Sequence, residues 1–314
     1  MKTHRASLCV ALLLAGMALA PRAFACSICR CGDSTFNALG AAIYTPGKFR
    51  LALDWDHFDK ENGVSDAGST EITGRDAEVE NRFTLGVAYS FGESLTLVGR
   101  LPFSVRRLTS TDESGETTTK TNGLSDPELT ALFRVWASPF RPGLGQRAWV
   151  SLVAGVKTPW GRNNLSGNGE RLDEHAQSGT GATDFYGGLS AVVQLDPESS
   201  FFASFQYRRT GTNDFEYQYG RTATANFAYE HKLGSAVDAV IEANWRHAEQ
   251  DRIDGDGNRD PNTGGDLVYL TPRVIVDLGG GFLGRVGVQI PVVKGLYGDQ
   301  TERANVNVGL TVLF

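Results

Sequence analysis

Apolar and polar residues alternate along the last twelve residues of the chain. Every even position from Ala304 to Phe314 is apolar, whereas Arg303, Asn305 and Asn307 lie between them. Because successive side chains of a β-strand point to opposite faces of its sheet, this spacing predicts a strand with one apolar face and one largely polar face. A sheet built from such strands separates two different environments.

The same period recurs near 82–91, 216–230 and 237–246. In the second of these segments Tyr217 and Tyr219 fall on the apolar face, where an aromatic girdle would meet the membrane interface. An even number of strands of this length can span a bilayer and return the chain to its starting side. We predict twelve strands, near 48–58, 80–91, 95–106, 126–138, 147–158, 183–195, 199–209, 215–231, 236–247, 266–278, 281–293 and 302–314.

The predicted connections alternate between short and long. Short links include 92–94 and 196–198, and long polar ones include 59–79, 107–125 and 159–182. Outer-membrane barrels have short periplasmic turns and long outer loops. The alternation therefore predicts that both chain termini lie in the periplasm.

The first residues are typical of a secretory signal peptide. A basic start is followed by an apolar run and by a small-x-small sequence that ends at Ala25. We expect residues 1–25 to be removed, 26–47 to form a periplasmic segment that contains a cysteine cluster, and 48–314 to form the barrel. Alternatively, Cys26 becomes the lipidated first residue of a lipoprotein, although the sequence before it fits a lipobox poorly.

Export and two-faced strands together favour an all-β fold, a twelve-stranded antiparallel transmembrane β-barrel of the bacterial outer membrane. A soluble sandwich or propeller also has alternating strands, but it would bury the apolar face in a core instead of in lipid. The terminal Phe314 resembles the assembly signal of bacterial barrels. Outer-membrane lipid, lipopolysaccharide and the barrel-assembly machinery are the expected partners, and a net charge of −6 with both signs spread along the chain argues against nucleic acid.

Three motifs at predicted strand ends carry a family resemblance: 122–129 (NGLSDPEL), 154–161 (AGVKTPWG) and 179–185 (GTGATDF). On these motifs the chain resembles the outer-membrane barrel transporters of the phenol-degradation meta-pathway type, over about residues 45–314. The resemblance implies a transporter or diffusion channel and fixes no solute. Pro127 and Pro159 lack an N–H and suit strand ends, so these motifs are expected mainly to shape the rim.

If the apolar faces meet lipid, charged residues of the opposite face line the interior. Their excess of arginine would attract anionic solutes, including carboxylated aromatics, through charge rings of the kind that set pore selectivity. Alternatively, arginines and carboxylates neutralise each other across the lumen. The predicted lining residues are Arg50, Asp54, Arg82, Arg100, Arg134, Arg208, Asp238, Glu242, Arg246 and Arg285, with Asp56, Arg106, Lys157 and Arg273 beside them.

The mature chain has a cluster of three cysteines, Cys26, Cys29 and Cys31, ahead of the first strand. Their spacing allows three thiolates to bind one soft metal, with Asp33 as an oxygen ligand. Alternatively, two of them form a disulfide in the oxidising periplasm. A metal site here would indicate a metal-handling or electron-transfer role.

A second candidate metal site lies in the loop after the ninth predicted strand. Asp254, Asp256, Asn258 and Asp260 place oxygen side chains at every second position, which is the ligand spacing of a calcium-binding loop. Gly265 stands where an EF-hand has its bidentate Glu, so a solvated polar turn is the alternative.

Some outer-membrane barrels are enzymes, which need a nucleophile or activated water beside a His and a carboxylate or amide. His175 lies in a long loop without a Gly-x-Ser-x-Gly sequence, and a rim site of Asp56, His57 and His247 is the remaining option. We expect no enzymatic activity. The favoured function is a channel or transporter for small solutes, and a structural or adhesive barrel is a further alternative.

Overall fold

The computed structural model describes residues 49–65, 72–112, 115–139, 147–167, 169–253, 255 and 257–314. Its strands are β1 (Phe49–Ser65), β2 (Ile72–Phe91), β3 (Leu95–Asp112), β4 (Gly115–Leu124), β5 (Glu128–Ala137), β6 (Ala148–Lys157), β7 (Ser166–Gly167), β8 (Glu170–Arg171), β9 (Asp184–Gln194), β10 (Ser199–Arg209), β11 (Thr222–Lys232), β12 (Val237–Ala248), β13 (Gly265–Gly279), β14 (Phe282–Leu296), β15 (Gln300–Glu302) and β16 (Asn305–Leu313). No helix in this part of the chain is long and apolar enough to cross a membrane.

The strands form one closed antiparallel barrel. Each strand pairs with its sequence neighbours, and β1 closes the ring by pairing with β2 on one side and with β15 and β16 on the other. β4 and β5 share the position after β3, β15 and β16 share the last position, and β7 and β8 form a separate small ribbon. The wall therefore has twelve positions, which confirms the predicted fold.

The two faces of the wall differ as the alternation predicts. Outward apolar side chains are exposed, for example Leu53 at 55% and Phe133 at 51%, whereas inward polar ones such as Thr84 and Asn244 are almost fully buried. An apolar belt of this extent is covered by hydrocarbon in a membrane. The alternation therefore reflects lipid on one side and a polar lumen on the other.

Several strands are longer than predicted. The segments 59–79 and 107–125 were expected to be loops, but β1, β2 and β3 run on, and β4 pairs with the upper half of β3. This prediction was wrong because these extensions have few apolar side chains and rise past the apolar belt, so alternation does not reveal them. The barrel consequently carries extended hairpins at its loop end, opposite the short turns.

The predicted strand 215–231 begins later, at Thr222. Tyr217 and Tyr219 lie in the preceding loop, where they are buried against Ala248 instead of facing an aromatic girdle. Their alternating spacing is that of a strand. Gly220, however, packs directly against the backbone of the β12–β13 connection, and the regular strand begins only after it.

Candidate functional site

The barrel interior contains all ten predicted lining residues on the inward face. Arg208, Glu242 and Arg246 are buried, and the other seven are partly buried. They are spread over seven strands of the wall and are not confined to one patch. The interior is therefore charged along its length.

Glu80 on β2 is the centre of the first charged group. It accepts from Arg82 Nε at 3.0 Å, from Arg106 Nη2 at 3.1 Å and from the Ser104 hydroxyl at 2.6 Å. Arg106 also lies 3.5 Å from Glu78. Neighbouring strands thus hold one buried carboxylate by charge-assisted hydrogen bonds.

A second group connects β3, β5, β6, β9 and β10. Glu128 binds Arg208 at 2.8 Å and lies 3.8 Å from Arg100. Asp184 binds Lys157 at 2.9 Å and lies 3.6 Å from Arg208. Arg208 therefore bridges two carboxylates on the wall below the loop end.

On the far wall two arginines reach carboxylates on other strands. Arg273 Nε lies 2.9 Å from Glu242, and Arg285 on β14 crosses β16 to bind Asp54 on β1. The crossing passes over Gly309, where a Cβ would lie 2.5 Å from Arg285 Nε and from Asp54 Oδ1. A side chain at this position of β16 would displace the Arg285–Asp54 ion pair.

Several inward carboxylates were not predicted from the sequence, namely Glu78, Glu80, Asp126, Glu128 and Asp184. All are buried or nearly so, and each makes an ion pair with an inward cation. They lie in the unexpected strand extensions and at strand ends, where alternation is weak. The excess of arginine expected in the lining is consequently offset by acids.

The segment 158–183 after β6, here called the inner loop, folds back into the mouth of the barrel. Its stretch 174–180 is buried apart from a partly exposed His175. Arg106 donates to the carbonyls of His175 at 3.2 Å and Gln177 at 2.5 Å, and Thr121 donates to a third loop carbonyl at 2.9 Å. The β3–β4 wall thus binds one side of the loop.

The opposite side of the inner loop is held by the β10–β11 connection. The Tyr219 hydroxyl donates to the Glu174 carbonyl at 2.9 Å. The Asn213 amide donates to the Glu174 carboxylate at 3.3 Å and to the Thr180 carbonyl at 3.1 Å. Because both sides are fastened, the loop narrows the mouth instead of standing above it.

The base of the inner loop is assembled from the three motifs that carry the family resemblance. Asp126 of the first motif accepts from the Gly161 N–H of the second at 2.9 Å, and from the N–H and hydroxyl of Thr180 of the third, both at 2.7 Å. Lys157 lies 3.4 Å from the same carboxylate. These rim motifs therefore position the loop as well as ending strands.

A buried polar cluster fastens three loops above the interior. The Tyr217 hydroxyl donates to Asp251 at 2.6 Å and lies 3.3 Å from His175 Nε2, while the Gly220 N–H donates to Asp251 at 2.7 Å. Burial raises the pKa of the Asp251 carboxyl, and burial also raises the pKa of the Tyr217 hydroxyl well above its usual value.

The expected metal sites fall largely outside the described residues. Cys26, Cys29 and Cys31 lie outside them, as do Asp254 and Asp256 of the candidate calcium loop. The structure describes two members of this loop. Asn258 is exposed, and the Asp260 carboxylate accepts from the Asn262 N–H at 2.9 Å. Throughout the described residues, no three His, Cys, Asp or Glu side chains converge as metal ligands.

The structure does not assemble the catalytic option at the rim. Asp56 is buried on the inward face, where it accepts from Asn307 at 2.6 Å. His57 lies on the outward face, 3.0 Å from Asn81. His247 is on a distant strand, 3.2 Å from Asp266. The three side chains therefore do not share a site.

The fold is similar to solved outer-membrane barrels. An outer membrane channel from Pseudomonas putida F1 superposes with a TM-score of 0.64 at 12% identity, covering 88% of this chain and 98% of the channel. The translocator domain of the autotransporter NalP from Neisseria meningitidis superposes with a TM-score of 0.50 at 12% identity, covering 88% of this chain and 92% of that one. A search of curated protein sequences finds no significant match.

The family to which the chain belongs is established by a sequence profile and not by these structural similarities. The profile of the family "Putative MetA-pathway of phenol degradation" matches residues 62–288, which is most of the chain. The match includes all three rim motifs and the whole inner loop. The chain therefore belongs to this family, and it is a twelve-stranded β-barrel of the bacterial outer membrane.

Proposed function

We propose that the protein is a channel through which small solutes cross the outer membrane. The observation that carries this proposal is the inner loop: its stretch 174–180 is buried within the mouth of a polar barrel, and the loop is fastened on two sides. A purely structural or adhesive barrel has no need of a loop that narrows its interior. The similar protein from Pseudomonas putida F1 is an outer membrane channel, which agrees with this function.

In this arrangement the loop end of the barrel faces outward and the short turns face the periplasm. Both termini then lie in the periplasm, since Phe49 and Phe314 meet at the turn end, where the Phe314 N–H donates to the Phe49 carbonyl at 3.0 Å. A protease added to intact cells tests this orientation with an epitope in the β12–β13 connection. Cleavage there, with a periplasmic C-terminal tag protected, is expected; the reverse pattern contradicts the orientation.

The solute that fits best is a small aromatic acid. Three inward arginines lie over inward aromatic rings at different heights: Arg208 is 4.6 Å from the Tyr186 ring, Arg134 is 5.4 Å from Trp149, and Arg82 is 4.9 Å from Phe58. A guanidinium beside a ring offers a planar carboxylate both a charged partner and a stacking surface. The name of the family refers to degradation of phenol, which shares the aromatic ring of this class.

Because the inward arginines are paired with acids, we expect selectivity for aromatic acids to arise from rings and charges together and not from a strong anion field. Reversal potentials in a planar bilayer with unequal salt should show a weak preference for anions. Proteoliposome uptake should be faster for benzoate than for a monosaccharide of similar size. A Trp149→Ala variant should lose this advantage, whereas a Trp136→Ala variant, altered at an exposed position on the outer surface of β5, should keep it.

The proposed solute and the proposed channel are contradicted by different results. A cation preference contradicts the aromatic-acid solute and leaves the channel intact. Failure to conduct ions and to take up any solute, by protein that is folded in the same bilayers, contradicts the channel itself and favours a structural or adhesive barrel.

A further inference from the structure

Two cations stand side by side on the outward surface near the loop end. Arg107 of β3 and Lys120 of β4 are directly opposed in the strand register, and both are exposed. Arg107 continues the outward face that carries the exposed Phe103 and Val105 lower on β3. The pair therefore lies on the lipid side of the wall and not in the lumen.

These cations have no carboxylate partner among the described residues. The outward acids nearest in the register are Asp59 and Glu61 of β1, and Arg303 binds both, at 2.8 and 2.6 Å. Like charges directly opposed on neighbouring strands destabilise a sheet. An anion bound between Arg107 and Lys120 would remove that repulsion, in contrast to the inward cations, for which the protein supplies its own acids.

The surface below the pair changes polarity row by row. One row lower, Asn81 and Asn122 flank Val105, and a further row lower Phe83, Phe103 and Leu124 are exposed at 43%, 37% and 48%. The side chains of the two upper rows line a recess of about 410 Å³. Cations, amides and then apolar side chains follow one another down a single stretch of wall.

A Trp side chain marks the membrane interface beside this recess. Trp55 Nε1 donates to the Asn81 amide oxygen at 3.2 Å, and aromatic residues of outer-membrane barrels concentrate at the interface. The amide row therefore lies at the depth of the lipid head groups, and Arg107 and Lys120 lie just above it. Arginine holds phosphate through two parallel hydrogen bonds, and lysine adds a point charge.

We propose that this recess binds a phosphate of lipopolysaccharide, with the acyl chains against Phe83, Phe103 and Leu124. The occupant is a lipid of the outer leaflet because the recess is at the loop end, which the orientation proposed above places outside. This binding site depends on that orientation and not on any transport activity. A lipid bound here would also brace the extended β3–β4 hairpin.

Native mass spectrometry of the full-length mature protein with bisphosphorylated lipid A tests the site. In the Arg107→Gln/Lys120→Gln variant, lipid A should bind on the order of ten-fold more weakly than in the parent protein. The matched control is Arg209→Gln/Arg259→Gln, which removes two exposed arginines at the same end of the barrel but outside the recess. The control should bind lipid A as the parent does.

Two further arms identify the ligand. Dephosphorylated lipid A should bind the parent protein as weakly as lipid A binds the double variant, and the double variant should not distinguish the two lipids. Phosphatidylglycerol and inorganic phosphate should both compete poorly. Equal losses in the two double variants, or competition by phosphatidylglycerol or phosphate as strong as that of lipid A, would overturn the proposal.

Folding of each variant is established by its heat-modifiable mobility on gels. If the double variant fails to fold, Lys120→Gln alone serves, because it keeps Arg107 and removes only an exposed side chain. It should show part of the loss of lipid A binding. Full retention of binding in the folded single variant would contradict a role for this lysine and for the cation pair.

Discussion

Gly161 and Gly179 pack backbone to backbone at the base of the inner loop. A Cβ built on Gly179 would lie 2.6 Å from the Cα of Gly161, and one built on Gly161 would lie 2.7 Å from the Cα of Gly179. The Gly179 N–H also donates to the Arg162 carbonyl at 2.7 Å. The two ends of the inner loop therefore meet at a point that tolerates no side chain.

Replacing Gly179 by Ala should loosen the inner loop. The added methyl forces the two backbones apart and weakens the Asp126 bonds to Gly161 and Thr180. Single-channel recordings should show a larger or noisier conductance than in the parent protein. The matched control is Gly234→Ala, because Gly234 lies in a turn where a Cβ meets no atom within 4 Å. Unchanged conductance in Gly179→Ala would show that the inner loop does not limit flow.

Removing one member of the Glu242–Arg273 pair should strongly destabilise the barrel. Both side chains have 0% exposure and lie 2.9 Å apart, so Glu242→Gln leaves a buried guanidinium without its charge partner. Breaking a buried ion pair in this way costs about 3–5 kcal/mol. The free energy of unfolding in urea, measured in lipid vesicles, should fall accordingly. The double variant Glu242→Gln/Arg273→Met should recover part of the loss, and a further decrease would contradict the pairing.

Acid should strengthen closure of the loops over the barrel. Burial raises the pKa of Asp251, so the folded form takes up its proton more readily than the opened form does. Protonated Asp251 contributes fully to the stability of the closed loops when the pH is below 3.8, the ordinary pKa of an aspartate. This contribution is lost as the pH rises through the higher pKa that Asp251 has in the closed form. Lowering pH from neutral toward that value should therefore reduce the frequency of opening in single-channel records.

The control for this pH effect is Asp251→Asn, which keeps a polar side chain that cannot titrate. It should remove the Asp251 part of the pH dependence and leave conductance at neutral pH close to that of the parent. The charges of His175 and Asp260 act on the Asp251 carboxyl as well. A pH response of equal size in Asp251→Asn would show that Asp251 is not the group responsible.

Metal analysis of the purified mature protein tests the cysteine cluster. If Cys26, Cys29 and Cys31 bind a soft metal, a variant with all three changed to Ser should lose it. The prediction is a copper, zinc or iron content near one per chain in the parent only. Equal metal content in both proteins would leave the disulfide or lipid-anchor interpretation of these residues.

The transmembrane part of the fold could be predicted from sequence because lipid and lumen act on alternate residues of every strand. Leu53 and Asp54 illustrate this, since one faces the lipid side and the other binds Arg285 inside. The β1–β2 and β3–β4 extensions could not be predicted this way, because they rise past the apolar belt. The spacing of Tyr217 and Tyr219 predicted a strand that their burial in a loop cluster contradicts.

The inner loop was beyond sequence reasoning for a different reason. Asp126, Gly161 and Thr180 belong to the three rim motifs, but they are far apart in the chain, and no motif indicates that it contacts the other two. Only the closed barrel brings them together. The predicted lining residues lie on the inward face, but their carboxylate partners Glu80 and Glu128 were not predicted, so the sequence could not decide between an arginine excess and mutual neutralisation.

The reach of Arg285 over Gly309 to Asp54 has a consequence for assembly. β1 and β16 are the first and last strands of the wall, and their pairing is the seam at which the ring closes. Because Arg285 on β14 meets Asp54 only when the seam strands are aligned as Asp54 with Gly309, a slip by two residues would put a bulkier side chain beneath the guanidinium and separate the two charges. The Arg285–Asp54 ion pair thus favours the correct β1–β16 register in the final step of barrel closure.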